Sequence, residues 1–179
     1  ENINKYDILV PHLFEDIDSK VLSNASNLKI LATPSTGTDH IDIEFLRLMD
    51  VDFITLNDDR SFINEITSTA EMNWLLILSC VRNIRKLIDR VKVEKSWVNT
   101  DIRGYELNNK VLGIVGYGRL GKMVAKYGHC FGMKVIVYDI DDTSYDDSVQ
   151  VVSMADLLAK SDVISLNAKL NKTSKNIIN

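Results

Sequence analysis

The sequence predicts an α/β protein built on parallel sheets, and three observations carry that reading. Short β-rich runs alternate with longer helical ones from about Asp7 to Leu166. A glycine-rich turn, Gly116-Tyr117-Gly118-Arg119-Leu120-Gly121, directly follows one of the β-rich runs and opens a helical one. Only two prolines occur, with no repeat and no low-complexity block, so nothing interrupts the alternation as a linker would.

The 179 residues are 45% hydrophobic and 26% charged, a balance that supports a buried core without disulfide staples. A net charge of -4 gives no global basic field, so neither nucleic acid nor an anionic membrane is an expected partner. Cys80 and Cys130 form no disulfide framework, and a reducing, cytoplasmic setting is expected. The apolar run from Trp74 to Val81 is too short to span a bilayer, and no secretory signal opens the chain. The first residue is Glu1 rather than Met, which predicts that the chain is part of a longer polypeptide.

In order along the chain, strands are expected at Asp7–Val10, Leu28–Ala32 and Val51–Thr55. Helices are expected near Asp16–Asn24 and Asp42–Met49, the second capped by Asp42. Ser68-Thr69-Ala70-Glu71 has capping-box spacing. Beyond it Trp74, Ile77, Leu78, Val81, Ile84, Leu87, Ile88 and Val91 recur at helical spacing. One helix from about 69 to 93, roughly 35 Å long, is predicted. Its first half is apolar nearly all round, which predicts burial between two bodies of protein. This helix is read as the boundary between a first domain over residues 1–60 and a second over 61–179, which includes the helix itself. In the second, strands are expected at Lys110–Val115, Lys134–Asp139, Gln150–Val152 and Asp162–Leu166. Helices are expected up to about Cys130 and over Met154–Lys160.

The glycine-rich turn has the form G-x-G-x-x-G, which alone is weak. Here a strand precedes it, a helix follows it, and an acid, Asp139, ends the next strand 23 residues after Gly116. That context makes it a dinucleotide fingerprint. Gly116 turns the chain, Gly118 leaves room for a pyrophosphate, and Gly121 lets the helix pack on the strand. N–H groups at the helix start, near Arg119 and Leu120, suit phosphate oxygens. Asp139 suits the ribose hydroxyls. With no arginine among Ile140, Asp141 and Asp142, a 2′-phosphate would meet like charge, so NAD is expected over NADP.

A second motif, Ser35-Thr36-Gly37-Thr38-Asp39-His40-Ile41-Asp42, lies between an expected strand and helix. Its backbone N–H groups and hydroxyls suit a small carboxylate, but a polar connection with a helix cap explains the same residues.

Four segments in this order resemble the D-isomer-specific 2-hydroxyacid dehydrogenase family, of the phosphoglycerate dehydrogenase-like type. They are Ser-Thr-Gly-Thr-Asp-His-Ile-Asp at 35–42, Ser-Thr-Ala-Glu at 68–71, Gly-Tyr-Gly-Arg-Leu-Gly at 116–121 and Ser-Asp-Val-Ile-Ser-Leu at 161–166. Trp97 ahead of Gly104-Tyr105-Glu106-Leu107 and Lys110-Val111-Leu112-Gly113 agrees with it. The resemblance runs from about Tyr6 to Asn179. It implies a Rossmann-like NAD-binding domain plus a flavodoxin-like substrate domain, both incomplete here, and a homodimer formed through the NAD domain. The implied activity is NAD-dependent hydride transfer between nicotinamide and a small 2-hydroxy or 2-oxo acid.

Carried over by position, Ser35, Thr36 and Gly37 match the substrate loop. Thr69 matches a cofactor contact, Arg119 and Leu120 the pyrophosphate pair, and Asp139 the ribose acid. The cofactor edge after the last strand takes in Asn167, Ala168, Lys169 and Thr173. There the family's Leu-His-x-Pro-Leu-Thr-x-x-Thr reads Leu166-Asn167-Ala168-Lys169-Leu170-Asn171-Lys172-Thr173-Ser174, so Asn167 and Lys169 replace the usual His and Pro. Ser35 replaces the first glycine of the substrate loop.

Hydride transfer to an oxo acid also needs a cation to polarise it and an acid/base. The resemblance places an Arg, a Glu and a His in those roles beyond the segment ending in Asn179. None of His12, His40 or His129 matches, so no catalytic residue is assigned and the chain alone is expected to be inactive. No spacing suits a metal. A non-catalytic NAD-binding scaffold or sensor, like the co-repressors related to this family, is the alternative. Formate or phosphite oxidation on the same fold is a third reading.

Overall fold

The structure is a computed structural model that describes residues 3–98, 100–141, 145–171 and 174–178. It divides into two compact units, Glu1–Ile66 with Lys169–Asn179, and Thr67–Ala168. This differs from the split expected near residue 60. Arg60–Glu65 forms a helix that buries Ile63 and belongs with Ile66 to the first unit, as does the segment from Lys169 onward.

In the first unit β1 (Ile8–Leu9), β2 (Ile30–Thr33) and β3 (Asp52–Thr55) pair in parallel, in that order. Ile30 stands opposite both Ile8 and Asp52. Helices α1 (Ser19–Leu22), α2 (Ile43–Leu48) and α3 (Arg60–Glu65) each begin at an aspartate. Asp18 accepts from the Lys20 and Val21 N–H groups, Asp42 from Phe45 and Asp59 from Phe62, all at 3.0 Å. Each cap satisfies helix-start donors that otherwise have no partner in the helix. The helix expected over Asp16–Asn24 shrinks to one turn, because Ile17 is extended and bridges Ile41 in parallel. Leu22, Ala25, Leu31 and Leu46 form the fully buried centre of this unit.

The second unit holds β4 (Val111–Val115), β5 (Lys134–Tyr138), β6 (Gln150–Val151) and β7 (Val163–Leu166), all parallel in the order β6-β5-β4-β7. Counted within the unit this is 3-2-1-4, one half of the dinucleotide-binding order plus the first strand beyond the reversal. The central strand β4 buries Leu112, Ile114 and Val115 almost completely, as a strand covered on both faces must. Helices α4 (Ser68–Val81), α5 (Ile84–Lys92), α6 (Arg119–Cys130) and α7 (Met154–Lys160) belong to the same unit. Trp74 fastens α4 to α6. Its indole Nε1 donates to the Val124 carbonyl at 3.2 Å and its ring stacks on Phe131 at 4.7 Å.

The single helix expected over 69–93 is not formed. It breaks at Asn83, which adopts the left-handed conformation with φ 53° and donates its amide to the Arg103 carbonyl at 2.7 Å. Asparagine tolerates that conformation, and the side-chain bond outweighs continuation of an otherwise periodic pattern. The expected capping box is also replaced. Thr67 is the N-cap residue, Ser68 lies inside α4, and the Thr67 hydroxyl donates to the Glu71 carboxylate at 2.5 Å. Nor is α4 buried all round. Ala70, Trp74, Ile77 and Val81 face the core, whereas Met72, Leu75 and Leu76 are each more than half exposed. Among the described residues no helix is long and apolar enough to cross a membrane.

Candidate cofactor-binding site

In open parallel sheets, ligands bind beyond the carboxyl ends of the strands where strand order reverses. In the second unit that point lies between β4 and β7, and the fingerprint sits there. Gly116 leaves β4 at φ 91°, a conformation that favours glycine, and donates its N–H to the Tyr138 carbonyl at 2.9 Å. A Cβ at Gly116 would come within 2.6 Å of the Ala168 backbone nitrogen, so the turn packs against the chain leaving β7. At Gly121 a Cβ would run into the Gly116 carbonyl oxygen, the close approach of helix to strand that the spacing implied.

Gly118 is different. It is the N-cap of α6, with negative φ and no side-chain cap, and a Cβ there would meet nothing within 4 Å. The space beyond it is open, bounded by the first turn of α6 that begins at Arg119 and Leu120. This is the cradle a pyrophosphate requires: open volume at a glycine facing a helix start.

Asp139 follows β5. Its Oδ2 accepts from the Tyr117 N–H at 2.5 Å and its Oδ1 from the Asp141 N–H at 3.1 Å. A carboxylate has about four lone-pair sites, so both oxygens keep capacity for ribose hydroxyls. The residues present therefore fit a dinucleotide.

Tyr117 was expected among the cofactor contacts, but its side chain is only 1% exposed and turns away from solvent. Its hydroxyl donates to Asp146 Oδ2 at 3.1 Å and its ring stacks on Tyr145 at 5.7 Å. Lys122 Nζ lies 5.7 Å from the same ring. Neither Tyr145 nor Asp146 was legible as a site residue, because no motif spacing links them to the fingerprint.

At the end of β7, Asn167 donates its N–H to the Val115 carbonyl at 2.7 Å. Its side-chain amide donates to Ser165 Oγ at 2.9 Å, and the Asn73 amide on α4 donates to the same hydroxyl at 2.8 Å. Asn167, where the resemblance leads one to expect His, is thus held by a local network that also joins α4 to the sheet. Ser165 and Asn73 carry no motif signal in the sequence. Ala168 closes on Gly116 as described. Thr69 is exposed in the first turn of α4. Lys169 groups with the first unit, its carbonyl accepting from Ser174 Oγ at 2.5 Å. Thr173 and Asp142 lie outside the described residues.

In the first unit, Ser35, Thr36 and Gly37 form the half-buried loop between β2 and α2. Ser35 Oγ accepts from the Gly37 N–H at 3.1 Å, and the Asn57 amide donates to the Thr36 carbonyl at 3.0 Å. The serine that replaces a family glycine therefore organises the turn. Behind it the Thr33 hydroxyl is buried without a protein partner. Among the described residues no group of three or more His, Cys, Asp or Glu is placed to hold a metal.

Residues 74–179 match the model of the D-isomer specific 2-hydroxyacid dehydrogenase NAD binding domain, and residues 1–54 match that of the catalytic domain of the same family. A hydroxypyruvate reductase of Thermotoga maritima is 33% identical over 177 residues, covering 99% of this chain and 56% of that protein. A glyoxylate reductase of Thermofilum pendens is 33% identical over 190 residues, covering 99% of this chain and 53% of that protein. The crystal structure of D-lactate dehydrogenase from Aquifex aeolicus, complexed with NAD and lactic acid, superposes with a TM-score of 0.83 at 31% identity. The match covers 96% of this chain and 51% of that one. The chain spans about half the length of the curated relatives it matches. With both family models matched in order, and the NAD-binding model alone covering more than half of its residues, the chain belongs to the D-isomer specific 2-hydroxyacid dehydrogenase family.

Proposed function

We propose that this chain carries the cofactor site and the substrate-carboxylate loop of an NAD-dependent oxidoreductase acting on a small 2-hydroxy or 2-oxo acid. The observation that carries the reading is the fingerprint at the reversal of strand order, with Gly118 open and Asp139 tied to the Tyr117 N–H. NAD, when bound, supplies the hydride acceptor or donor. The chain's own residues bind and orient: first-turn N–H groups of α6 take phosphate oxygens, and Asp139 takes ribose hydroxyls. In the first unit the Ser35–Gly37 turn takes the substrate carboxylate.

NAD is preferred to NADP because Asp139 and Asp141 would repel a 2′-phosphate. The names of the two relatives favour glyoxylate and hydroxypyruvate as the first substrates to try. The chain by itself is inferred to bind cofactor without turnover, since none of His12, His40 or His129 matches the family's catalytic position. A homodimer through the second unit is supported by the exposed apolar side of α4, with Met72, Leu75 and Leu76. A cytoplasmic setting is supported by the two free cysteines, Cys80 and Cys130.

The test is a fluorescence titration with NADH and NADPH, followed by assay of NADH oxidation with glyoxylate, hydroxypyruvate and pyruvate. Saturable NADH binding with weaker NADPH binding supports the proposal. Equal affinity for the two overturns the NAD preference, and turnover by this chain overturns the inference that it is inactive.

A further inference from the structure

Four contacts link Tyr117, Asp139, Asp141 and Tyr145 in a ring. The Tyr117 N–H donates to Asp139 Oδ2 at 2.5 Å. Asp139 Oδ1 accepts from the Asp141 N–H at 3.1 Å. The Asp141 carbonyl accepts from the Tyr145 hydroxyl at 3.1 Å. The Tyr145 ring lies on the Tyr117 ring, 5.7 Å away and 20° from parallel. Across this ring the Tyr117 hydroxyl donates to Asp146 Oδ2 at 3.1 Å, and Asp146 in turn accepts from the Ser148 N–H at 3.0 Å and from the Ser148 hydroxyl.

The two ends of one residue thus hold two different things. The backbone of Tyr117 holds the carboxylate of Asp139, and its side chain holds Asp146. Tyr117 is 1% exposed, and its ring belongs to the same core as Leu112, Ile114 and Val137, so it is a fixed post and not a swinging one. A phenylalanine would fill the same volume but would leave Asp146 without its inward donor. The hydroxyl therefore serves a purpose that packing alone does not explain.

We propose that Tyr117, through its hydroxyl bond to Asp146, is a positioning residue that holds residues 145–149 in place and so sets affinity for the adenosine half of the dinucleotide. This rests on the cofactor reading given above. In the cofactor reading Asp139 takes the adenosine ribose, so residues 145–149, joined to it through Tyr117, would act on the adenosine half and not on the nicotinamide half. Holding them in place before binding would lower the entropy lost on binding. Removing the brace weakens the adenosine half selectively.

The experiment compares the chain with Y117F, D146A and D146N. Binding of NADH, 5′-AMP and nicotinamide mononucleotide is measured by fluorescence or calorimetry. Amide hydrogen exchange over residues 145–149 is followed in the absence of nucleotide. Y117F and D146A are each expected to weaken NADH and 5′-AMP by roughly threefold to tenfold, the range of one hydrogen bond, and to leave the mononucleotide unchanged. Both are expected to speed exchange over 145–149. The double variant is expected to be no worse than either single one, because both remove the same bond. D146N can turn its oxygen to Ser148 and donate its amide to the Tyr117 hydroxyl oxygen, which keeps the link with its direction reversed, and is expected to bind like the unmodified chain.

Unchanged 5′-AMP binding in both Y117F and D146A overturns the inference alone. Equal weakening of the adenosine and nicotinamide probes also overturns it, since that is a general loss of structure. Failure of the unmodified chain to bind NADH or 5′-AMP overturns the cofactor reading, and the inference with it.

Discussion

Asp139 Oδ2 lies 2.5 Å from the backbone nitrogen of Tyr117, so the acid that ends β5 is fastened to the turn that ends β4. Two neighbouring strands thereby present one rigid polar corner. Asp139→Ala removes the acceptor for that N–H and the proposed ribose ligand together. NADH affinity is expected to fall roughly tenfold or more, as for a lost charged hydrogen bond. Discrimination against NADPH is expected to relax at the same time. Titration with both nucleotides checks this, and unchanged values would remove Asp139 from the site.

The fingerprint glycines separate binding from folding. Gly118→Val projects into open space at an ordinary φ, so the cost to stability is expected to be limited to the weaker helix cap, about 1 kcal/mol. Nucleotide binding is expected to be lost, because the side chain fills the proposed pyrophosphate cradle. Gly121→Ala drives a methyl group into the Gly116 carbonyl and is expected to cost about 1–3 kcal/mol of stability. Urea unfolding alongside NADH titration distinguishes the two.

Burial first, and then the bond to Asp146, push the Tyr117 phenol from 10.0 up to about 12. Folding therefore favours the protonated phenol. The stability it contributes is fully present below pH 10 and is lost as pH rises through about 12. In absorbance titration at the phenolate band, Tyr117 is expected to give a late step near pH 12. Y117F should lack that step and no other.

Trp74 is 5% exposed and joins α4 to α6 through Phe131 and the Val124 carbonyl. Trp74→Ala is expected to destabilise the second unit by about 3–5 kcal/mol. Circular dichroism in urea measures the loss. Trp97, 85% exposed, should tolerate the same substitution with little change.

The break between α4 and α5 rests on Asn83. Asn83→Ala removes the bond to the Arg103 carbonyl and forces a Cβ-bearing residue without that bond into the left-handed region, at a cost of about 1–2 kcal/mol. Asn83→Gly is expected to recover the backbone part of that cost. Urea midpoints for the three proteins test the ordering.

Much of this architecture is legible in the amino-acid sequence. Met154–Lys160 forms a helix over the expected span, and Asp42 caps α2 through the Phe45 N–H as its chemistry suggests. The parallel pairing of the strands follows from strand–helix alternation, although the placing of β7 beside β4 does not. Other features are not legible there. Leu87, Ile88 and Val91 continue the periodicity of Trp74 and Ile77 across Asn83, so hydrophobic spacing alone does not reveal the break. Tyr117 stands in the motif as one of its variable positions, with nothing to show that its side chain turns inward.

By itself the sequence determined the alternation of strands and helices, the Asp42 cap, and the fingerprint with its acid. Those depend on periodicity, on neighbours in the chain, and on a motif whose acid follows at a fixed strand–helix–strand spacing. Only the tertiary structure decided where Asn83 breaks the helix, which side of α4 is buried, and that Tyr117 is braced by Asp146. Each of these is settled by a contact between residues about twenty to fifty positions apart: Asn83 with Arg103, Trp74 with Val124, Tyr117 with Asp146. No local pattern encodes such a partner, because the free energy that selects it exists only once the core has closed.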